Sequence, residues 1–366
     1  MKQDLALRVL SEIMKWDDTR ARDEFAWLRL ISRLKYDSYR DFVAGARFLE
    51  SLADWLQQFD QTEREAAYNF IRRNLVFIGP LEMQHLVEHT YPETVQKRLF
   101  ASVAGRLNIP TYMVLAQPDA RKTYEALLRK TLFLGLSDGA RIDDFRRANS
   151  GIISNEQVVI ATQINESKWG ALLKDLRQNL CDENAKFAFV YLVDDFMGSG
   201  TTLLRERNGV WDGRLLRFWE ENQKVIQNSF EPDWVLCVHH YIGTYQVSVA
   251  IQDRHRAALQ SRGEKAWFKN VEFSFGTILP KDLPIDEGRH GDFLKLVNKY
   301  YDPSIETLHT RLGGTDVRLG FGSCGLPLVL EHNTPNNSVA LLWADTTGDG
   351  GAHPMRPLFR RKQRHT

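Results

Sequence analysis

With 366 residues, 43% hydrophobic and 26% charged, the chain has ample apolar material for one large domain or two. Its 48 Lys and Arg nearly cancel 47 Asp and Glu, and the net charge of +1 gives no bulk signal for nucleic-acid binding. Cys181, Cys237 and Cys324 are too widely spaced for a zinc site or a disulfide framework, and no apolar run is long enough to span a bilayer. A cytoplasmic protein of a reducing compartment is expected.

The first third reads as helices. MKQDLALRVLSEIMKW is amphipathic and unlike a signal peptide. Phe48, Leu49, Leu52, Trp55, Leu56 and Phe59 recur at helical spacing between Tyr39 and Asp60. Thr62 and Glu65 have the spacing of a capping box, opening a helix that buries Ala66, Ala67, Phe70 and Ile71 and stops at Gly79-Pro80. Met83 to Glu88 and Pro92 to Ala104 read as two more helices. His85 and His89 share a helix face at metal-compatible spacing, but no carboxylate completes a site, and surface or packing roles are expected.

The pattern changes near residue 131. TLFLGL (131–136), VVIATQI (158–164), FAFVYLV (187–193), WVLCVHHYI (234–242) and VEFSFGTIL (271–279) read as strands. Trp169 to Leu180 and Asp253 to Ser261 read as helices. Another is expected from Thr202, interrupted by NGVWDG. Such alternation predicts an α/β fold with a mostly parallel sheet and helices on both faces. FAFVYLV is apolar on both faces, as a central parallel strand is. The expected domains are a helical region over 1–125 and an α/β domain over 126–366.

Ligands of open α/β sheets sit beyond the carboxyl ends of the strands. FAFVYLV ends there in DDFMGSGTT, Asp194 to Thr202. Gly198 and Gly200 permit tight turns and close backbone approach, while Ser199, Thr201 and Thr202 supply hydroxyls suited to an anion. Asp194 and Asp195 repel phosphate. They suit ribose hydroxyls, or magnesium held directly or through its waters. There is no GxxxxGK[ST], so this is not a P-loop, and no GxGxxG precedes an acid.

Apolar strand, DD, two apolar residues and GSGTT together resemble the PRPP-binding motif of type I phosphoribosyltransferases. The resemblance implies that Asp194 and Asp195 form the catalytic acid pair on the ribose hydroxyls, with Mg2+ as cofactor. Gly198, Ser199, Gly200, Thr201 and Thr202 then hold the 5-phosphate. It also implies an earlier pyrophosphate loop, often with a non-proline cis peptide, and Ser137, Asp138, Gly139, Ala140 and Arg141 stand in that place. Asp138 departs from the basic or small residue usual there. A mobile loop over 142–157, containing Arg146, Arg147, Asn155 and Glu156, is expected to close on the ligand. Arg146 and Arg147 are either pyrophosphate clamps or solvated charges. Of His239 and His240, only one can face the pocket. The turn His332, Asn333, Thr334, Pro335, Asn336 and Asn337 fits either a base-reading hood or a plain polar turn.

YDSYRDFVAGARFLESLADWLQQF, SDGARIDDFRRAN, VYLVDDFMGSGTTLL and LEHNTPNNSVALLW together resemble phosphoribosyltransferase-like proteins of bacterial conflict systems. Some of these are similar to retron effectors, which stand beside a reverse transcriptase and its noncoding RNA. The resemblance implies a defence-system effector or accessory protein with a phosphoribosyl or nucleotide ligand and one of those assemblies as partner. Three functions follow as expectations: chemistry at the ribose anomeric carbon through an oxocarbenium-like transition state, nucleotide sensing without turnover, or nucleic-acid binding by a basic tail (Arg356, Arg360, Arg361, Lys362, Arg364). A metabolic phosphoribosyltransferase is the further alternative.

Overall fold

The computed structural model describes residues 3–42, 47–161, 164–263, 266–307, 310, 313–314, 316–348 and 352–361. The chain forms two compact units: Met1–Glu82 with Lys281–Thr366, and Met83–Pro280. This differs from the division expected at residue 125. Two contacts of the backbone and of apolar surface explain it. Residues 328–330 pair with residues 76–78 in a two-stranded sheet, and the helices after residue 83 pack on the main sheet.

The first unit contains α1 (Gln3–Met14), α2 (Asp18–Leu34), α3 (Phe48–Gln57), α4 (Arg64–Asn74) and β1 (Val76–Ile78). No side chain caps α4. Glu65 instead pairs with Arg20 and accepts from Asn69, so the expected capping box does not form. The helix ends at Asn74, and Pro80 opens the next one, α5 (Pro80–His89), rather than stopping its predecessor. A proline suits that first position because the missing N–H has no helical acceptor there. The same unit is completed by α12 (Glu287–Tyr300), β9 (Leu328–Leu330) and α13 (Ala340–Trp343). β1 and β9 pair in parallel, Val76 with Leu328 through Ile78 with Leu330. Phe359 lies among Tyr36, Tyr39, Phe42, Phe48 and Phe77, and Trp55 Nε1 donates to Leu341 O at 2.7 Å.

The second unit opens with the rest of α5, a π-helical turn (Thr90–Gln96), α6 (Lys97–Leu107) and α7 (Pro118–Arg129). There follow β2 (Thr131–Gly135), α8 (Ile142–Ala148), β3 (Val158–Ile160), α9 (Glu166–Leu180) and β4 (Phe187–Met197). The strand predicted over 158–164 is thus shorter, and residues 162 and 163 lie outside the described ones. A hairpin of β5 (Arg205–Arg207) and β6 (Val210–Asp212) precedes α10 (Arg214–Ser229). The helix predicted from Thr202 therefore starts twelve positions later, because Asn208 and Gly209 both take positive φ (52° and 79°) and turn the chain back. β7 (Phe230–Thr244), α11 (Tyr245–Arg262) and β8 (Val271–Leu279) complete it.

The main sheet has five strands in the order β3-β2-β4-β7-β8, and every pair is parallel. On one face Leu132, Leu134, Val190, Leu192, Leu236 and Val238 pack in a core with Trp169 of α9, Phe218 of α10 and Ile251 of α11. On the other, Phe133 meets Phe145 of α8, and Arg98 of α6 lies over Phe189 while binding Glu272. Helices on both faces of a parallel sheet give the phosphoribosyltransferase-like α/β fold expected, with a helical N-terminal region. Among the described residues no helix is long and apolar enough to cross a membrane.

Candidate functional site

β2, β4 and β7 end side by side, and each carboxyl end carries polar residues. β4 continues through both acids, so Asp194 stands in register with His240 of β7. Asp194 is only 3% exposed, whereas Asp195 is half-buried. Asp194 Oδ1 accepts from Ser137 Oγ at 2.5 Å and from the Asp195 N–H at 3.1 Å. Its Oδ2 accepts from Arg214 Nη1 at 2.6 Å. Burial, and next the neighbouring Asp195 carboxylate, push the Asp194 carboxyl up to about 6, against the pull of Arg214 and Ser137. Asp195 Oδ1 accepts from the Phe196 N–H at 2.8 Å.

The loop after β4 turns its carbonyls inward. Gly198 O accepts from Thr244 Oγ1 (2.7 Å), Ser199 O from Arg254 Nη1 (3.0 Å) and Gly200 O from the Leu203 and Leu204 amides (3.1 and 3.0 Å). Thr201 O accepts from Arg205 Nη1 (3.2 Å) and Thr202 O from the Arg214 N–H (3.1 Å). Five successive carbonyls are thereby committed to protein donors, and the Thr201 N–H donates to Ser199 Oγ at 3.4 Å. Gly200 sits at φ 72°, and a Cβ there would lie 2.7 Å from Val247 Cγ2, so no larger residue closes this turn without strain. Ser199 Oγ and Thr201 Oγ1 are 3.0 Å apart, a paired hydroxyl edge on the same loop.

The loop after β2 is Ser137 with a 3-10 turn over Asp138–Ala140. The Gly139 N–H donates to Ser137 Oγ (3.1 Å), the Ala140 N–H to Ser137 O (3.1 Å), and Tyr241 Oη donates to Ala140 O (2.7 Å). A Cβ on Gly139 would collide with Asp195 Oδ2, so glycine is what lets this loop close on the acid. Asp138 is exposed. Among the described residues no peptide bond is cis, and the loop's positive-φ residue is Arg141 at 47°. The cis peptide implied by resemblance is therefore not present in this loop.

Residues 142–157 do not form the open loop expected. Its first half is helix α8, where Arg146 pairs with Asp143 at 2.7 Å and Arg147 with Asp144. Both are solvent-facing i,i+3 pairs, and Glu156 pairs with Arg129 beside Asn155 in a 3-10 turn. Arg141 lies 3.4 Å from Asp144. The structure thus brings together Asp194, Asp195, Ser137, Gly139 and Gly198 to Thr202, and leaves Arg146 and Arg147 in pairs of their own.

His239 is buried between Ser274 Oγ (2.9 Å from Nδ1) and Thr90 Oγ1 (3.3 Å from Nε2), and burial lowers it to about 4. His240 stands in register with Asp194, its Nδ1 without a hydrogen-bond partner among the described residues. Burial first, then His239, lowers it to about 3, while Asp195 pulls upward. Both are neutral imidazoles at pH 7. In the other unit, Thr334 Oγ1 meets Tyr39 Oη (3.1 Å) and donates to Phe359 O (3.2 Å), and Asn337 Nδ2 donates to Phe321 O (2.7 Å). These two residues of the polar turn hold their own unit's backbone. Arg360 pairs with Asp345 and Arg361 lies over Trp343, while Lys362 and Arg364 fall outside the described residues. His85 and His89 are exposed, and no group of three or more His, Cys, Asp or Glu able to hold a metal occurs among the described residues.

Sequence reasoning missed Arg214, Arg254, Thr244 and Tyr241. Thr244 alone carried a local signal, since its side chain accepts from the Val247 N–H and caps α11. The arginines reach the site only through tertiary packing. No curated protein and no solved structure matches the chain. The family model PRTase-CE matches residues 52–361, a span that includes both strand-end loops, and the chain belongs to this phosphoribosyltransferase-like family.

Proposed function

We propose that the chain binds a ribose 5-phosphate group, carried by PRPP or a nucleotide, at the ends of β4 and β2, and acts at the ribose anomeric carbon as part of a bacterial antiphage system. The observation that carries this reading is the committed carbonyl set of residues 198–202 beside an acid pair at a parallel strand end. The 5-phosphate would take the hydroxyls of Ser199, Thr201 and Thr202, and a ribose hydroxyl would donate to Asp195. In the reaction the bond from C1 to its leaving group breaks with the electron pair leaving on that group, and an incoming nucleophile bonds to C1. The protein's part is to orient the ribose and offset the charge that develops on it.

The carboxylates suit magnesium that arrives with ligand phosphates better than a protein cage, since no three-ligand cluster is present among the described residues. Asp195, the more accessible acid, would hold it through water. The bound ion would neutralise phosphate charge. Resemblance to conflict-system proteins supports the defence role, with a reverse transcriptase and its noncoding RNA as the expected partner.

A second reading, a sensor that binds without turnover, is favoured by the exposed acid Asp138 and by the Arg214 partner on Asp194. One experiment separates them. Purified protein is incubated with magnesium and PRPP, NAD or nucleoside triphosphates, alone and with the neighbouring gene products after phage infection. Consumption of one compound supports the enzyme, and calorimetric binding without consumption supports the sensor. No binding to any phosphoribosyl compound rejects both. Loss of phage protection in Asp195→Asn would tie the site to defence.

A further inference from the structure

We propose that Asp194 is a positioning residue, a strut joining the 137–140 loop to α10 through Ser137 and Arg214, and that contact with the ribose falls to Asp195. The second half of this proposal rests on the ribose-phosphate reading above. The first half does not.

Both Asp194 oxygens are engaged within the protein. Oδ1 takes Ser137 Oγ and the Asp195 amide, and Oδ2 takes the Arg214 guanidinium. The partners come from three segments that are far apart in sequence: the β2 loop, β4 itself and the first residue of α10. The carboxylate is 3% exposed. A neutral ribose hydroxyl offers a buried carboxylate less than a guanidinium does, so displacing Arg214 would leave the acid poorly compensated. Binding that leaves the pair in place has no such penalty.

Arg214 is built into this position. The hairpin β5–β6, closed by the Arg205–Asp212 pair, carries the chain out and back between the phosphate loop and α10. Gly213 at φ 130° then packs so closely on Leu203 that a Cβ would strike its carbonyl oxygen. Arg214 consequently braces both loops at once: its backbone N–H holds Thr202 O, and its side chain holds Asp194. Asp195 follows on the strand, so its side chain leaves toward the opposite face. It lies half-buried against Gly139. Its neighbour fixes the frame, and Asp195 presents the carboxylate.

The test uses the full-length chain as Asp195→Asn, Asp194→Asn, Arg214→Gln and the double Asp194→Asn/Arg214→Gln. Amide exchange over 137–140 and 198–204 is measured by mass spectrometry. Affinity for PRPP with magnesium, and for ribose 5-phosphate, is measured by calorimetry. Asp195→Asn is expected to leave exchange unchanged and to weaken PRPP by about tenfold or more. Asp194→Asn and Arg214→Gln should each speed exchange in 137–140. The double variant, whose two amides can bond one another, should restore both protection and affinity to within about threefold of the wild type.

Restored protection with affinity still about tenfold down would overturn the proposal, because Asp194 would then touch the ligand. Unchanged exchange in both single variants would also overturn it. If the double variant does not fold, Ser137→Ala decides: faster exchange in 137–140 upholds the strut, and unchanged exchange rejects it. Failure of the wild type to bind either probe would reject the ribose-phosphate reading and the role given to Asp195, while the exchange results alone would still decide the strut.

Discussion

The loop after β4 and the loop after β2 are held by partners of different reach. Residues 198–202 give up their carbonyls to Thr244, Arg254, Arg205 and the Leu203, Leu204 and Arg214 amides. Residues 137–140 spend the Gly139 and Ala140 amides on Ser137 itself. An anion needs donors. On the ribose-phosphate reading proposed above, the first loop offers its hydroxyls to the phosphate and the second is the brace that sets the acids. The exposed acid Asp138 stands on the bracing loop, where it costs the phosphate cradle nothing.

The largest expected effect tests whether the two loops share one floor. His239 and His240 lie on β7 beneath them, depressed to about 4 and about 3. Groups with lowered histidine values take up protons more readily when unfolded. Their stabilisation is complete above pH 6.5 and is lost as pH falls toward the folded values, at up to about 1.4 kcal/mol per pH unit for each histidine. The charged groups acting on His240 are His239, Asp195 and Arg214. Asp194 has the opposite sign, since its raised value stabilises the fold at low pH and this is lost as pH rises through about 6. Denaturant titrations from pH 7 to 4.5 should show a net fall in stability, and His240→Gln should flatten it. Equal slopes in the two proteins would remove His240 from the floor.

Next in size is Arg214→Ala, which strands the buried Asp194 carboxylate and should cost about 3 kcal/mol. Thermal unfolding checks this, and a change below about 0.5 kcal/mol would mean the brace is not under load. Ser199→Ala combined with Thr201→Val should weaken ribose 5-phosphate by about tenfold with little effect on stability, by the loss of hydroxyl donors. An unchanged affinity would move the phosphate off this loop. The smallest effect is expected from Arg146→Ala and Arg147→Ala, whose exposed ion pairs contribute about 0.5 kcal/mol or less. Calorimetry should find PRPP affinity unaltered. A marked loss would reinstate them as pyrophosphate clamps and erase the contrast between receptor and brace.

Much of this arrangement is legible in local sequence. Strands β2 and β4 declare themselves because residues on both of their faces are apolar, as buried parallel strands must be, while edge strand β8 alternates Val271, Phe273 and Phe275 with Glu272 and Ser274. The acid pair closes β4 and GSGTT follows it without interruption, so this loop can be read from spacing alone. Other features depend on partners distant in sequence. Thr62 and Glu65 have capping-box spacing, but Arg20 draws Glu65 away. The hairpin was foreshadowed by Asn208-Gly209, the dipeptide of tight antiparallel turns, within a stretch whose apolar residues still suited a helix. Arg214 carries no local mark, because its role is created by the hairpin that delivers it. Helix α8 replaces an expected loop because Asp143 and Asp144 open it and Arg146 and Arg147 close it, complementing the helix dipole at both ends.

The interleaving of the two units gives the chain an order of assembly during synthesis. Residues 83–280 leave the ribosome as one uninterrupted stretch and contain every strand of the main sheet. Residues 1–82 emerge earlier but must wait. Phe77 and its neighbours on β1 find their strand only when Leu328 to Leu330 appear, and Trp55 finds its acceptor 286 positions later in the chain. For most of translation the oldest part of the polypeptide thus carries unmatched apolar surface while the middle is already able to close around its core. A nascent chain arrested before residue 281 would display that surface to chaperones and proteases, although its strand-end loops had already been made.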